Sequence, residues 1–146
     1  MNESNIPLAI TNQVSALILD YTNEKKSIQS FYAYPNSLEG FKRKIESTQF
    51  TKTQRTLLVE QLKQQYAHNE IAVPKAVNSL LDEHTFVVTT GHQLCLFGGP
   101  QYFIHKIVST IKLAQQLKEA YPSYNFLPLF WLASEDHDFE EISLAH

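Results

Sequence analysis

The chain is poor in the residues that staple, tether or span. It holds one cysteine, Cys95. A single thiol excludes an intramolecular disulfide and a cysteine-rich zinc site. It fits a reducing, cytoplasmic setting. Cationic excess is also missing: 12 basic against 15 acidic residues give a formal net charge of -3. Nucleic-acid binding usually shows as a basic excess or stripe, so no such partner is expected. The N-terminal run "MNESNIPLAITNQVSALILDY" has no basic leader, and Thr11, Asn12, Gln13 and Ser15 interrupt its apolar residues. It reads neither as a signal peptide nor as a membrane span, and no membrane partner is expected. Repeats and low-complexity tracts are missing too. What is present is a hydrophobic content of 43% in 146 residues, enough for the core of one domain.

Glycine is scarce, with only four in the chain, yet three of them fall in "TTGHQLCLFGGP" at residues 89–100. His92, Gln93 and Cys95 share that stretch. The chain around it changes character at Thr85. Residues 1–84 read as helical and irregular. Ile10, Val14, Leu17, Ile18 and Tyr21 recur at helical spacing and suggest a first short helix. "FYAYPNS" (31–37) reads as an aromatic loop packed on the body, with Phe31, Tyr32 and Tyr34 serving packing. Ser37 can N-cap a helix carrying Phe41 and Ile45. Thr53 is placed to start the next, through Leu57, Leu58, Leu62 and Tyr66. Pro74 suits the first turn of another, through Leu80 and Leu81.

"TFVVTT" (85–90) reads as a buried strand ending at Gly91. A helix follows from Gln101, with Phe103, Ile104, Ile107, Val108, Ile111, Ala114 and Leu117 on its apolar face. Lys118 falls on that side near the end, where its charge can reach water. "FLPLFWL" (126–132) reads as a second buried strand, with Trp131 in the core and Pro128 tolerable at a sheet edge or strand start. Strand, turn, helix, strand implies a parallel pair. The fold class is therefore α/β, one βαβ unit of an open parallel sheet. The expected division is a helical segment at 1–84 packed on the core, then 85–146. Two strands make an incomplete sheet, so the chain is expected to be the N-terminal portion of a longer protein. The rival architecture is a small α+β domain closed by the N-terminal helices.

Ligands of open parallel sheets bind beyond the carboxyl ends of the strands. Two loops leave there: "GHQLCLFGGP" (91–100) and "ASEDHD" (133–138). In the first, Gly91 lets the chain turn, while Gly98 and Gly99 permit close approach before a helix whose N-terminus can receive an anion. His92 can donate to a phosphate or shuttle a proton. Neither a dinucleotide fingerprint nor a Walker A loop is present. In the second, Glu135, Asp136, His137 and Asp138 crowd like charges, which calls for a cation: an ammonium group, a basic side chain or a metal. Asp138 could instead orient His137 as a general base. The plainer reading is that Ser134 or Asp136 caps a helix, and that the glycines only turn the chain. Cys95 reads as a small apolar filler. Lys106 either reaches toward the loop or faces solvent. His68, His84 and His105 carry no functional weight.

"TGHQ…LFGGPQYFIHKIVSTIKLA" followed by "LPLFWLASEDHDFEEI" resembles the bacillithiol biosynthesis cysteine-adding enzymes (BshC), as does "LDY…FYAYPNSLEGFKRKI". The resemblance implies a Rossmann-like, nucleotidyltransferase-like core related in architecture to class I aminoacyl-tRNA synthetases. It also implies a coiled coil that dimerises the full-length enzyme, and a cytoplasmic ligase joining cysteine to glucosaminyl malate. ATP, with magnesium, is the implied driver, and no tightly bound metal is expected. The matching positions are Gly91, His92, Gln93, Gly98, Gly99 and Ser134 to Asp138. Where class I synthetases carry His-x-Gly-His, this chain reads Thr89-Thr90-Gly91-His92, without the first histidine. On this reading His92, Asp136 and His137 are catalytic. Gly91, Gln93, Gly98, Gly99, Ser134, Glu135 and Asp138 bind substrate or nucleotide. The rivals are a metal-dependent hydrolase using Asp136, His137 and Asp138, and a non-catalytic binding domain.

Overall fold

The computed structural model describes residues 6–95 and 98–135. The chain forms two compact units, residues 1–48 and 49–146. The first contains α1 (Leu8–Thr11), α2 (Ala16–Thr22), a 3-10 turn (Lys26–Phe31) and α3 (Leu38–Ser47). The single helix expected around Ile10 to Tyr21 is in fact two. Asn12 adopts a left-handed conformation at φ 52, and Ser15 then caps α2 by accepting from the Ile18 N–H. Asparagine tolerates that conformation better than most residues, which makes it a natural helix stop. Ser37 caps α3 as its residue type predicts, accepting from the Gly40 N–H. In the aromatic stretch Tyr34 bonds Ser47 Oγ at 2.7 Å and Tyr32 meets Tyr21 edge-on at 5.1 Å. Phe31 departs from the packing expectation: it is 85% exposed, in a 3-10 turn that buries none of its residues.

The second unit contains α4 (Lys52–His68), α5 (Lys75–Ser79), β1 (Thr85–Gln93), α6 (Gln101–Ala120) and β2 (Asn125–Ala133). Thr51, rather than Thr53, begins α4. Its hydroxyl accepts from the Gln54 N–H, and Gln54 Oε1 accepts from the Thr51 N–H at 2.8 Å, a reciprocal capping box. The strands pair in parallel from Thr85 opposite Asn125 to Gln93 opposite Ala133. The pairing runs through Pro128, opposite Val88, without a break. Leu127 packs on a cluster of Val59, Val77 and Leu80 from α4 and α5. Phe130 meets Phe103 of α6 at 5.2 Å. Residues three apart on a strand face opposite ways, so helices cover both faces of the sheet.

β1 runs past its expected end at Thr90, through Gly91 and His92 to Gln93. Gly91 is not a turn residue. A Cβ there would stand 2.7 Å from the Trp131 carbonyl oxygen and 3.0 Å from Trp131 Cβ. The glycine lets the two strands approach closely. Trp131, expected in the core, is 57% exposed, and its neighbour across the ladder on β1 is Gly91. α6 also differs from expectation on one flank. Thr110, Ala114 and Leu117 are buried, while Ile104, Val108 and Ile111 are exposed. The apolar positions are wider than the strip the two strands cover, and Thr110 can be buried because its hydroxyl donates back to the Lys106 carbonyl at 2.8 Å. Lys118 does not simply reach water: its Nζ donates to the carbonyls of Pro122 and Tyr124, tying the α6–β2 turn. Among the described residues no helix is long and apolar enough to cross a membrane.

The sequence changes character at Thr85, but α4 and α5 belong with the sheet. The bond between them is Arg55, only 5% exposed. Its Nη1 donates to the carbonyls of Leu80 and Thr85, and its Nη2 to that of Glu83, each at 3.0 Å. Phe50 and Phe86 lie against the guanidinium, 5.3 and 6.0 Å from ring centre to Cζ. These contacts fix the chain between α5 and β1 to the middle of the unit. Arg55→Met should therefore lower unfolding free energy in urea by about 3 kcal/mol, since buried carbonyls lose their donors. Arg55→Lys should recover only part of it, because an ammonium lacks the planar fork. A loss below about 0.5 kcal/mol would refute the anchoring role.

Candidate functional site

Parallel pairing brings the carboxyl ends of β1 and β2 side by side. Gln93, the last residue of β1, lies opposite Ala133, the last of β2. The loop opening at Leu94 and the loop opening at Ser134 therefore start as neighbours. Ser134 and Glu135 are exposed just beyond β2, with the Ser134 N–H bonded to the Leu132 carbonyl at 2.9 Å. Glu135 Oε1 accepts from Trp131 Nε1 at 3.4 Å. Asp136, His137 and Asp138 lie outside the described residues. The juxtaposition of the two strand exits is thus a property of the sheet itself.

His92 is the centre of the described site. Its Nδ1 lies 2.9 Å from the Gln93 carbonyl oxygen, and its Nε2 lies 2.8 Å from the Tyr102 hydroxyl. A carbonyl can only accept, so Nδ1 carries a proton and Nε2 of the neutral ring accepts from Tyr102. Tyr102 and Phe103 hold the ring between them, at centroid distances of 5.2 and 5.6 Å. Cys95 is not a mere filler. Its Sγ lies 3.1 Å from His92 Nδ1 and donates to the Gln93 carbonyl at 3.4 Å, closing the network. Gln93 thus contributes its backbone oxygen.

Lys106, one turn into α6, reaches back toward the loop: Nζ donates to the Gly91 carbonyl at 3.1 Å and lies 5.5 Å from the Tyr102 ring centre. Gly98 and Gly99 take positive φ, 86° and 71°, and lead into α6. A Cβ on Gly99 would stand 2.8 Å from Cys95 Cβ. The helix then opens on Pro100, which offers no side-chain cap. An uncapped helix start leaves N–H groups and a positive dipole end for an anion. Among the described residues no three His, Cys, Asp or Glu side chains gather as metal ligands.

Two participants were missed from sequence: Tyr102 and Cys95. Tyr102 sits in the first turn of the helix that follows the glycine loop, within reach of the β1 exit. That position was its one legible signal. His105, given no weight from sequence, lines an open depression of about 440 Å³ together with Thr89, Thr90, Tyr102, Lys106 and Ser109.

A strand, a glycine-bearing loop, a helix and a parallel strand, with helices on both faces, define a Rossmann-like α/β domain. The chain belongs to the BshC family: residues 1–146 match "Bacillithiol biosynthesis BshC, N-terminal Rossmann-like domain". It is 48% identical over 134 residues to "Putative cysteine ligase BshC" of Flavobacterium psychrophilum, covering 88% of this chain and 25% of that protein. The protein of the same name from Bacillus thuringiensis is 36% identical over 129 residues, covering 87% and 24%. The chain thus spans about a quarter of the length of the curated relatives it matches.

The glycines are separable by substitution. Gly99→Ala meets both a positive φ and Cys95, and should cost about 1–3 kcal/mol in thermal or urea unfolding. Gly98→Ala meets no neighbour within 4 Å and pays only for its φ. Equal losses for the two would contradict the packing assigned to Gly99.

Proposed function

We propose that the full-length protein is a cytoplasmic ligase that joins cysteine to the amine of glucosaminyl malate in bacillithiol synthesis. The observation that carries the reading is the pairing of Gln93 with Ala133, which starts the two motif loops side by side in a chain of this family. The names of the relatives support the ligase class.

Amide formation requires an activated carboxyl group, so ATP with magnesium is the proposed driver. The residues at the start of α6 suit a phosphate: Gly98 has open space at its Cβ position, and the helix start lacks a side-chain cap. His92 is proposed to act on the bound group, with Gly91, Gln93 and Gly99 binding substrate or nucleotide beside it. Glu135, Asp136 and Asp138 are proposed to hold an ammonium group, with Ser134 beside them. His137 is proposed to take the proton from the attacking amine as nitrogen bonds the activated carbonyl carbon and the leaving group departs. The working assembly is proposed to be a homodimer.

Two measurements test this. Deleting the gene should abolish bacillithiol and accumulate its cysteine-free precursor; unchanged thiol levels would overturn the function. In the purified full-length protein, His92→Ala and Asp136→Asn should each lower product formation by about 100-fold or more while leaving thermal stability within a few degrees. Full activity in both would overturn the site.

A further inference from the structure

Trp131 stands four residues after Leu127 on β2, so the two side chains share a face of the sheet. At Leu127 that face is covered by Val59, Val77 and Leu80 of the α4–α5 cluster. At Trp131 it is open, and Gly91, the neighbour across the ladder, has no side chain. The chain turns at Ser134, and Glu135 Oε1 accepts from Trp131 Nε1 at 3.4 Å. Among the described residues no cation pairs with Glu135 or stacks on the Trp131 indole. We infer that Trp131 and Glu135 together form a subsite for the ammonium group of a primary amine, taken between the indole face and the carboxylate. This rests on the ligase reading and deepens it: Trp131 becomes a binding residue, and the cation is an organic ammonium rather than a metal ion.

The two groups select for what neither selects alone. A carboxylate in water accepts any cation, and an indole lies against any apolar surface. An indole face also attracts positive charge through its quadrupole, and the carboxylate accepts the N–H bonds of the same charge. An alkylammonium satisfies both, with its N–H groups on Glu135 and its charge over the ring. Magnesium keeps its water shell and gains little from an aromatic face. The Trp131–Glu135 bond directs the Nε1 edge of the indole to the carboxylate, so the ring and the negative charge are held as neighbours. The pair also stands in the right place. Trp131 is two residues before Ala133, which ends β2 opposite Gln93, at the carboxyl end of the sheet where ligands of open parallel sheets bind. An exposed tryptophan forgoes the large apolar burial that its ring offers, and a ligand seated on it recovers that area.

The test is titration of the full-length protein, labelled with nitrogen-15 at tryptophan, with ethylammonium chloride at neutral pH. The Trp131 indole N–H signal is the one missing from Trp131→Phe. It should shift saturably with ethylammonium and stay in place with ethanol, which has the same carbon chain and no charge. Trp131→Leu and Glu135→Gln should each weaken ethylammonium binding by roughly tenfold, read from the broadening of the ethylammonium methyl signal. Trp131→Phe should lose less than Trp131→Leu, because a ring face remains. Glucosamine and cysteine are the two sources of an amine in the proposed reaction, and the one that shifts the Trp131 signal at lower concentration is the amine held here. An unmoved Trp131 signal, an equal response to ethanol, or wild-type affinity in Trp131→Leu would overturn the inference. Displacement of ethylammonium by equimolar magnesium chloride would give the carboxylate to a metal and overturn it too. Glu135→Gln changes an exposed side chain and keeps the test decisive where a tryptophan variant fails to fold. None of these readouts needs turnover. Loss of the ammonium subsite leaves the ligase reading standing, and unchanged thiol levels on gene deletion leave the subsite standing.

Discussion

Parallel pairing of β1 and β2 is the constraint from which the rest of the second unit follows. Two parallel strands cannot be joined by a tight turn, so the chain must cross over, and α6 is that crossover. The same pairing sends both strands out of the sheet at the same end, where α6 also begins. The start of the glycine-bearing loop, the N-terminus of α6 and the β2 exit at Ser134 and Glu135 are thereby gathered at one edge by topology, before any side chain acts. Gly91 tightens the arrangement, because the Trp131 backbone occupies the space that a Cβ would need.

At that edge the side chains are arranged as a supported histidine rather than an open one. The Gln93 carbonyl sets the protonated nitrogen of His92, Cys95 closes the inner side, and Tyr102 meets the outer nitrogen. The supports come from three different elements: the strand end, the loop and the helix. Gly98 and Gly99 take positive φ, and Gly99 lies close against Cys95. Lys106 adds a fixed positive charge one turn further along, held by the Gly91 carbonyl. Both nitrogens of the imidazole are thereby engaged within the protein.

Support from the opposite side of the sheet is polar rather than purely apolar. Arg55 takes three carbonyls at the α5–β1 link, where regular secondary structure does not supply partners. An arginine near the start of the polar helix α4 looks like any solvent-facing cation in sequence. Only the path of the chain thirty residues later makes it a buried donor. The same reasoning applies to Trp131 and to the Ile104, Val108 and Ile111 flank, whose exposure depends on what lies opposite them.

Periodicity and residue type by themselves determined the α/β class, the order strand–helix–strand, and the side-by-side exit of the two strands at one sheet edge. These are local or topological matters. β-branched runs favour extended chain, helical spacing places an apolar face, and crossover length dictates parallel pairing. Helix starts at Ser37 and the pair of glycines before α6 were legible for the same reason, since caps and positive φ are written in single residues. Tertiary structure alone decided that Gly91 stays in the strand, that Arg55 is buried, and that Cys95 and Tyr102 attend His92. Each of those depends on atoms brought together from distant or turned segments of the chain, and no local preference encodes such a meeting.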